Sequence, residues 1–224
     1  MPERRCIYFV HGFASSFEGD WGRTGWVDIL RDFGVEAVPV NLPGHGDPDA
    51  STDPKRYVDC EGLIWSQFRH DAPITAVGFS QGADLLLRVA CAHPEAFDRL
   101  VLLGLGDRVL MAHEFGDLVA ALKADREPED VRLRLFWRLA SANDAPNGAL
   151  AAFLARDRQA LVVPDSLQLR FPVLSIIGSE EGISQDELAL MIHQLETHVV
   201  SGVDHFGLPG NIDVITKTID FLDL

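Results

Sequence analysis

Gly78-Phe79-Ser80-Gln81-Gly82 stands between two segments of opposite character. Before it, Ile74-Thr75-Ala76-Val77 is a short apolar, β-branched run, which reads as a buried strand. After it, residues 81–92 carry Leu85, Leu86, Val89 and Ala90 at helical spacing. The five residues have the form G-x-S-x-G, and these flanks supply the strand-turn-helix context in which that form presents a nucleophilic serine. The turn has to be sharp. Glycines at 78 and 82 let strand and helix approach closely around a strained Ser80.

The same patterns recur on either side. Cys6-Ile7-Tyr8-Phe9-Val10 reads as a buried strand that ends at His11-Gly12-Phe13, with a polar loop over 14–22. A helix is expected over 26–33, with Trp26, Val27, Leu30 and Phe33 on one face and Gly34 as its stop. Ala37-Val38-Pro39-Val40 is the next strand. Pro39 has no N–H for a ladder, so this strand belongs at an edge. Asn41-Leu42-Pro43-Gly44-His45-Gly46 is a turn, in which His45 reads as structural, and a helix is expected near 58–68. Leu100 to Leu105 is a strand ending at Gly106-Asp107. From 108 to about 166 strand signals vanish, and three helical patterns follow near 114–124, 129–140 and 148–160, with Pro128 at the first position of the second. Pro172 to Gly178 resumes the strand pattern, Ser184 and Glu187 form a capping-box match, and His198-Val199-Val200 is a last strand. A helix from Asn211 closes the chain, with Ile212, Ile215, Ile219 and Leu222 turned inward.

Strands that alternate with helices predict an α/β fold: a mostly parallel sheet of about six strands covered by helices on both faces. The length of 224 residues suits one such domain with an inserted subdomain. The expected division is a core of 1–107 and 167–224, with 108–166 as the helical insertion. Apolar residues make up 47% of the chain, enough for a packed core. No apolar run approaches the length of a membrane span. Met1-Pro2-Glu3-Arg4-Arg5 leads into only five apolar residues before His11, too few for a signal-peptide core, which points to the cytoplasm. A net charge of −15 argues against nucleic acid or anionic membrane as partners, and less strongly against a polyanionic substrate. Cys6, Cys60 and Cys91 form no disulfide or zinc pattern, and no metal or cofactor is expected.

In a parallel sheet the ligand site lies beyond the carboxyl ends of the strands. His11, Ser80, Asp107, Glu180-Glu181 and His205 all fall just after expected strands. A serine hydroxyl needs a base within hydrogen-bond reach, and His205, in the loop after the last strand, is the best placed. His70, His93, His113, His193 and His198 sit in helix, helix-end or strand settings. The base needs a carboxylate to fix its tautomer. Glu181 is the first choice, with Glu180 and Asp107 as alternatives; Asp204 adjoins His205 and is poorly placed to aim at it. A developing oxyanion needs two N–H donors. Gln81 N–H stands at a helix N-terminus, and the second donor comes most simply from Phe13, after the first strand.

With these residues in order, the chain resembles an α/β-hydrolase-fold serine hydrolase of the lidded esterase and lipase type. The resemblance rests on His11-Gly12-Phe13, Pro43-Gly44-His45-Gly46, the turn at Ser80, Gly178-Ser179-Glu180-Glu181 and Asp204-His205-Phe206, and it spans nearly the whole chain. It implies a Ser80-Glu181-His205 triad, an oxyanion hole from Phe13 and Gln81, and a helical cap over the site. The chain departs from the family at two points. It offers Glu-Glu where an Asp is usual, which keeps Asp107 in play. It also starts directly at the strand before His-Gly, without the family's first antiparallel strands.

The activity expected is cleavage of a small or medium carboxylic ester through an acyl-enzyme at Ser80, with a small-molecule acyl ester as substrate. A thioesterase, lactonase or C–C bond hydrolase would use the same machinery, and a ligand-binding protein without turnover is the rival of another class. Phe17, Trp21 and Phe79, together with Phe136 and Trp137 from the insertion, are candidate walls of an apolar pocket. Arg132, Arg134 and Arg138 read as a solvated face, or else as a trap for a substrate anion.

Overall fold

A computed structural model describes residues 5–111, 115–157, 159–161, 169 and 171–224, apart from the Arg132 side chain. The described elements follow in chain order. β1 (Cys6–Val10), α1 (Trp26–Asp32), β2 (Glu36–Val40), α2 (Cys60–Trp65), β3 (Ile74–Phe79), α3 (Gln81–Ala92) and β4 (Phe97–Leu103) come first. The insertion helices α4 (Gly116–Lys123), α5 (Val131–Ser141) and α6 (Asn147–Leu154) follow, then β5 (Val173–Gly178), α7 (Asp186–Met191), β6 (Leu195–Val200) and α8 (Ile212–Phe221). Among the described residues no helix is long and apolar enough to cross a membrane.

The six strands form one sheet in the order β2-β1-β3-β4-β5-β6, and every neighbouring pair is parallel. β2 lies at an edge, as Pro39 requires. Alternation along the strands sorts side chains between two cores. Tyr8, Val10, Ala76, Leu100 and Leu102 point to one face, where they meet α2, α3 and the insertion. Ile7, Phe9, Val77, Val101 and Leu103 point to the other, under α1 and α8. The strand order reverses between β1 and β3, where Val10 pairs with Gly78. The crevice at such a reversal is where α/β folds place their ligands. Here it lies between the loop after β1 and the turn at Ser80.

Several local expectations shift. The helix expected near 58–68 is the shorter α2; that near 129–140 is shifted C-terminally as α5, and that near 148–160 ends early, as α6. Pro128 lies three residues before α5, where its carbonyl accepts from Arg134 Nε at 3.2 Å. Ser184 does not cap α7. The helix starts at Asp186, and its first-turn N–H groups turn to Asp107, which accepts Leu188 N–H at 2.9 Å; Ser184 Oγ accepts Asp186 N–H, at 3.1 Å, and donates to Asp107 Oδ2 at 2.7 Å. Asn211 does cap α8, accepting from Asp213 N–H at 2.8 Å. Ile215 and Leu222 are buried and Ile219 packs on the core as expected, joined by Val214 and Thr218, but Ile212 faces solvent. Phe33 is likewise half exposed, and α1 buries Trp26 and Leu30 alone. His113 lies outside the described residues.

Candidate active site

Ser80 follows β3 directly and precedes the first residue of α3. Its φ of 54° and ψ of −116° lie where an L-residue rarely sits, the strain that a sharp strand-to-helix turn imposes. Close approach explains the flanking glycines. A Cβ on Gly78 would stand 2.8 Å from Ala83 Cα, and one on Gly82 would stand 2.5 Å from the Val10 carbonyl oxygen. The turn is anchored by Ser80 N–H, which donates to the Leu103 carbonyl at 2.8 Å.

His205 reaches Ser80 from the loop after β6. Its Nε2 is 2.8 Å from Ser80 Oγ, and its Nδ1 is 2.5 Å from Glu181 Oε1. A carboxylate can only accept, so Nδ1 carries the proton and Nε2 is free to take one from the serine. The Glu181 side chain is almost wholly buried, and its second oxygen accepts Gly178 N–H at 2.6 Å. Both carboxylate oxygens are thereby held. The longer glutamate fits because it stands three residues past the end of β5 and folds back onto it, with Glu181 N–H donating to the Gly178 carbonyl at 3.2 Å.

The two other acid candidates are placed elsewhere. Glu180 is exposed, and its backbone N–H donates to Val203. Asp107 turns to α7. Its oxygens accept from Ser184 Oγ at 2.7 Å and Leu188 N–H at 2.9 Å. Burial tends to raise its carboxyl, but those hydrogen bonds outweigh burial and hold it below the usual carboxylate range. Asp204 accepts Gly207 N–H within its own turn.

Gln81 opens the twelve-residue α3, so its N–H lies at the positive end of the helix dipole beside Ser80. Its side chain is tied away, donating to Asp84 at 2.9 Å. Across the crevice, Phe13 is buried between His45 and Phe153, with ring centroids 5.6 and 6.4 Å away. Among the described residues no protein acceptor is hydrogen-bonded to the Phe13 N–H.

The loop that carries Phe13 is braced by residues that spacing does not reveal. Leu42 N–H donates to His11 Nε2 at 3.1 Å, so His11 Nδ1 bears the proton and donates to the Gly12 carbonyl at 2.9 Å. Asp20 accepts Gly12 N–H at 2.8 Å and the Ser15 hydroxyl at 2.6 Å. Burial pushes the Asp20 carboxyl up and the His11 imidazole down. His45 is a turn residue, as its motif suggests. Its Nδ1 donates to the Pro43 carbonyl at 3.1 Å, and burial, reinforced by His11, pushes its pKa down to about 3.

The proposed pocket walls divide. Phe79 packs its ring 4.9 Å from that of His205, and Phe136 on α5 meets Phe206 at 5.5 Å. Trp137 is half-buried against the α3-side core. Trp21, by contrast, has no exposed surface and packs edge-on against Phe9 and Trp26, and Phe17 packs at the rim of the same cluster. Trp21 therefore lies inside the α1-side core, because the loop after β1 folds back over that face, while Phe17 is only partly buried. Arg134 and Arg138 pair with Glu127 and make no contact with Ser80. The Arg132 side chain lies outside the described residues. Two surface cavities, of about 350 and 440 Å³, lie away from Ser80, one beside Leu42 and Tyr57 and the other beside Val27 and Val35.

Comparison with known proteins agrees with this architecture. Residues 7–209 match the model of the family described as "Alpha/beta hydrolase family". No curated protein matches the chain. Among solved structures, NosK from Streptomyces actuosus is 20% identical, with 99% of this chain and 98% of that chain covered and a TM-score of 0.68. The 2-hydroxy-6-oxo-6-phenylhexa-2,4-dienoate hydrolase of Rhodococcus sp. strain RHA1 is 16% identical, covering 100% and 92%, with a TM-score of 0.67. An epoxide hydrolase from Vigna radiata is 15% identical, covering 99% and 92%, with a TM-score of 0.71. At these identities the likeness is one of fold.

Proposed function

Since the chain belongs to the alpha/beta hydrolase family, we propose that it is a serine hydrolase cleaving a small or medium carboxylic ester through an acyl-enzyme at Ser80. The fold hosts several chemistries, so the reading rests on the site. The observation that carries it is the unbroken chain Ser80 Oγ–His205 Nε2 and His205 Nδ1–Glu181 Oε1, at 2.8 and 2.5 Å.

In this mechanism His205 takes the Ser80 proton as Oγ attacks the ester carbonyl. Glu181 holds the imidazole in its Nδ1–H tautomer and stabilises the imidazolium that forms. The tetrahedral oxyanion is met by the N–H groups of Gln81 and Phe13, the first reinforced by the α3 dipole. His205 then returns the proton to the leaving alcohol, and water, activated by the same imidazole, releases the acid. The rings of Phe79, Phe136 and Phe206 make the surroundings of His205 apolar, which suits an uncharged acyl group.

The test is covalent labelling by a fluorophosphonate probe together with a panel of p-nitrophenyl esters of rising chain length. Rapid labelling lost in Ser80→Ala, with turnover of the shorter esters, is expected. A well-folded protein that is neither labelled nor active would instead favour the ligand-binding reading.

A further inference from the structure

Asp20 sits in a single π-helical turn, Glu18–Gly22, between β1 and α1, and no motif points to it. Its carboxylate nevertheless holds both ends of the loop that carries Phe13. Oδ2 accepts Gly12 N–H at 2.8 Å, and Oδ1 accepts the Ser15 hydroxyl at 2.6 Å. Asp20 is itself moored, its carbonyl accepting the Thr24 hydroxyl at 2.5 Å. Between the two held points lies Ala14, at φ +56°. A residue with a Cβ keeps that conformation only where its surroundings impose it.

The peptide between Gly12 and Phe13 is gripped from its carbonyl side as well. The Gly12 oxygen accepts from His11 Nδ1–H at 2.9 Å and from Ser15 N–H at 3.3 Å. In a trans peptide the N–H points opposite to the C=O, so these bonds aim Phe13 N–H the other way. The carboxylate fixes the start and end of the strained segment, and the imidazole fixes its direction.

We propose that Asp20 is a positioning residue for acyl transfer at Ser80: its two hydrogen bonds hold the 12–15 loop in the strained form that presents Phe13 N–H to the oxyanion. This rests on the serine-hydrolase reading given above. The bonds to charged oxygen are of the strong, short kind, suited to holding backbone against its own preference. The donor they aim matters only once charge develops on the substrate oxygen. Losing them therefore lowers kcat and leaves KM nearly unchanged.

The experiment compares Asp20→Ala, Asp20→Asn and Ser15→Ala with the parent protein, using p-nitrophenyl esters and counting active sites by end-point fluorophosphonate labelling. Asp20→Ala is expected to lose about 10- to 100-fold in kcat per labelled site, with KM within about 3-fold. Asp20→Asn, whose amide can still accept Gly12 N–H and donate to Ser15 Oγ, is expected to recover most of the loss. Ser15→Ala removes one of the two bonds and is expected to fall in between. If Asp20→Ala does not fold, the other two variants decide: a smaller loss in Asp20→Asn than in Ser15→Ala supports the proposal. Unchanged kcat per labelled site in Asp20→Ala, with only melting temperature or labelled fraction reduced, would overturn it. So would an Asp20→Asn as impaired as Asp20→Ala, or a Ser15→Ala with the parent's kcat. A parent protein that the probe does not label would instead defeat the serine-hydrolase reading itself.

Discussion

Ser80 Oγ and His205 Nε2 stand 2.8 Å apart across 125 residues of chain, the serine raised on a strained turn and the imidazole lowered onto it from the far side of the sheet. Neither group can do the other's work. Ser80→Ala and His205→Ala are each expected to lower kcat/KM for a p-nitrophenyl ester by about 10⁴- to 10⁶-fold. The double variant should be little worse than either single one, because the two act as a unit. Additive losses would show that they do not.

Glu181 has both oxygens committed, one to His205 and one to Gly178 N–H. Glu181→Gln is therefore expected to cost about 10²- to 10⁴-fold in kcat. Glu180→Gln and Asp107→Asn should leave turnover within about 3-fold of the parent. Asp107→Asn should still lower the melting temperature, since its carboxylate accepts Leu188 N–H in α7, an interaction of the capping kind worth about 1 kcal/mol. Steady-state kinetics beside a thermal melt separates the two effects.

Gly104, at the end of β4, has φ +66°, and a Cβ there would stand 2.8 Å from His205 Cε1. Gly104→Ala therefore strains the backbone and pushes the imidazole off line. The expected result is a fall in kcat of about 10- to 100-fold in a protein that still folds. A variant with unchanged kcat would mean that the ring tolerates displacement.

Stability should fall with acid. His45, down at about 3, and His11, also depressed, are neutral in the folded chain, whereas in the unfolded chain they take up protons below about 6.5. Between those limits the unfolded state binds more protons, so each contributes stability that is present above pH 6.5 and lost as the pH drops towards its folded value, by up to about 1.4 kcal/mol per pH unit. Asp20, whose carboxyl burial pushes up, works in the opposite sense and blunts the loss at the acid end. Urea unfolding at pH 7.5, 6 and 5 measures the slope. His45→Gln should remove about one proton from it.

Much of this architecture was readable from residues alone, for identifiable reasons. A fully buried parallel strand is a continuous apolar run, so β1, β3, β4 and β5 stand out, and Pro39 marks β2 as an edge. The glycines around Ser80 announce a close crossing, and Gly82 does lie tight against the Val10 carbonyl. What escaped depends on neighbours that arrive from afar. Ser184 looks like a helix cap, but Asp107, from the far side of the inserted helices, takes the Leu188 N–H in its place. Ile212 fits the inward spacing of α8, but it stands in the first turn, where the helix has not yet met the sheet. Trp21 looks like a pocket aromatic because periodicity cannot say over which face a loop will fold. Asp20 carried no signal at all, since its partners are a backbone amide and a serine inside a polar loop.

One feature of the helices between β4 and β5 sets which of them can move. In α6, none of the residues from Ala149 to Leu154 exposes more than 5% of its surface, and Phe153 stacks over the ring of Phe13. Uncovering Leu150, Phe153 and Leu154 together would cost about 5–9 kcal/mol, as much as many whole domains have to spare. α6 therefore cannot swing outward as part of a door. α6 stays fixed against α4 and the turn at Pro54–Tyr57, whereas on α5 Val131 and Leu135 already meet water.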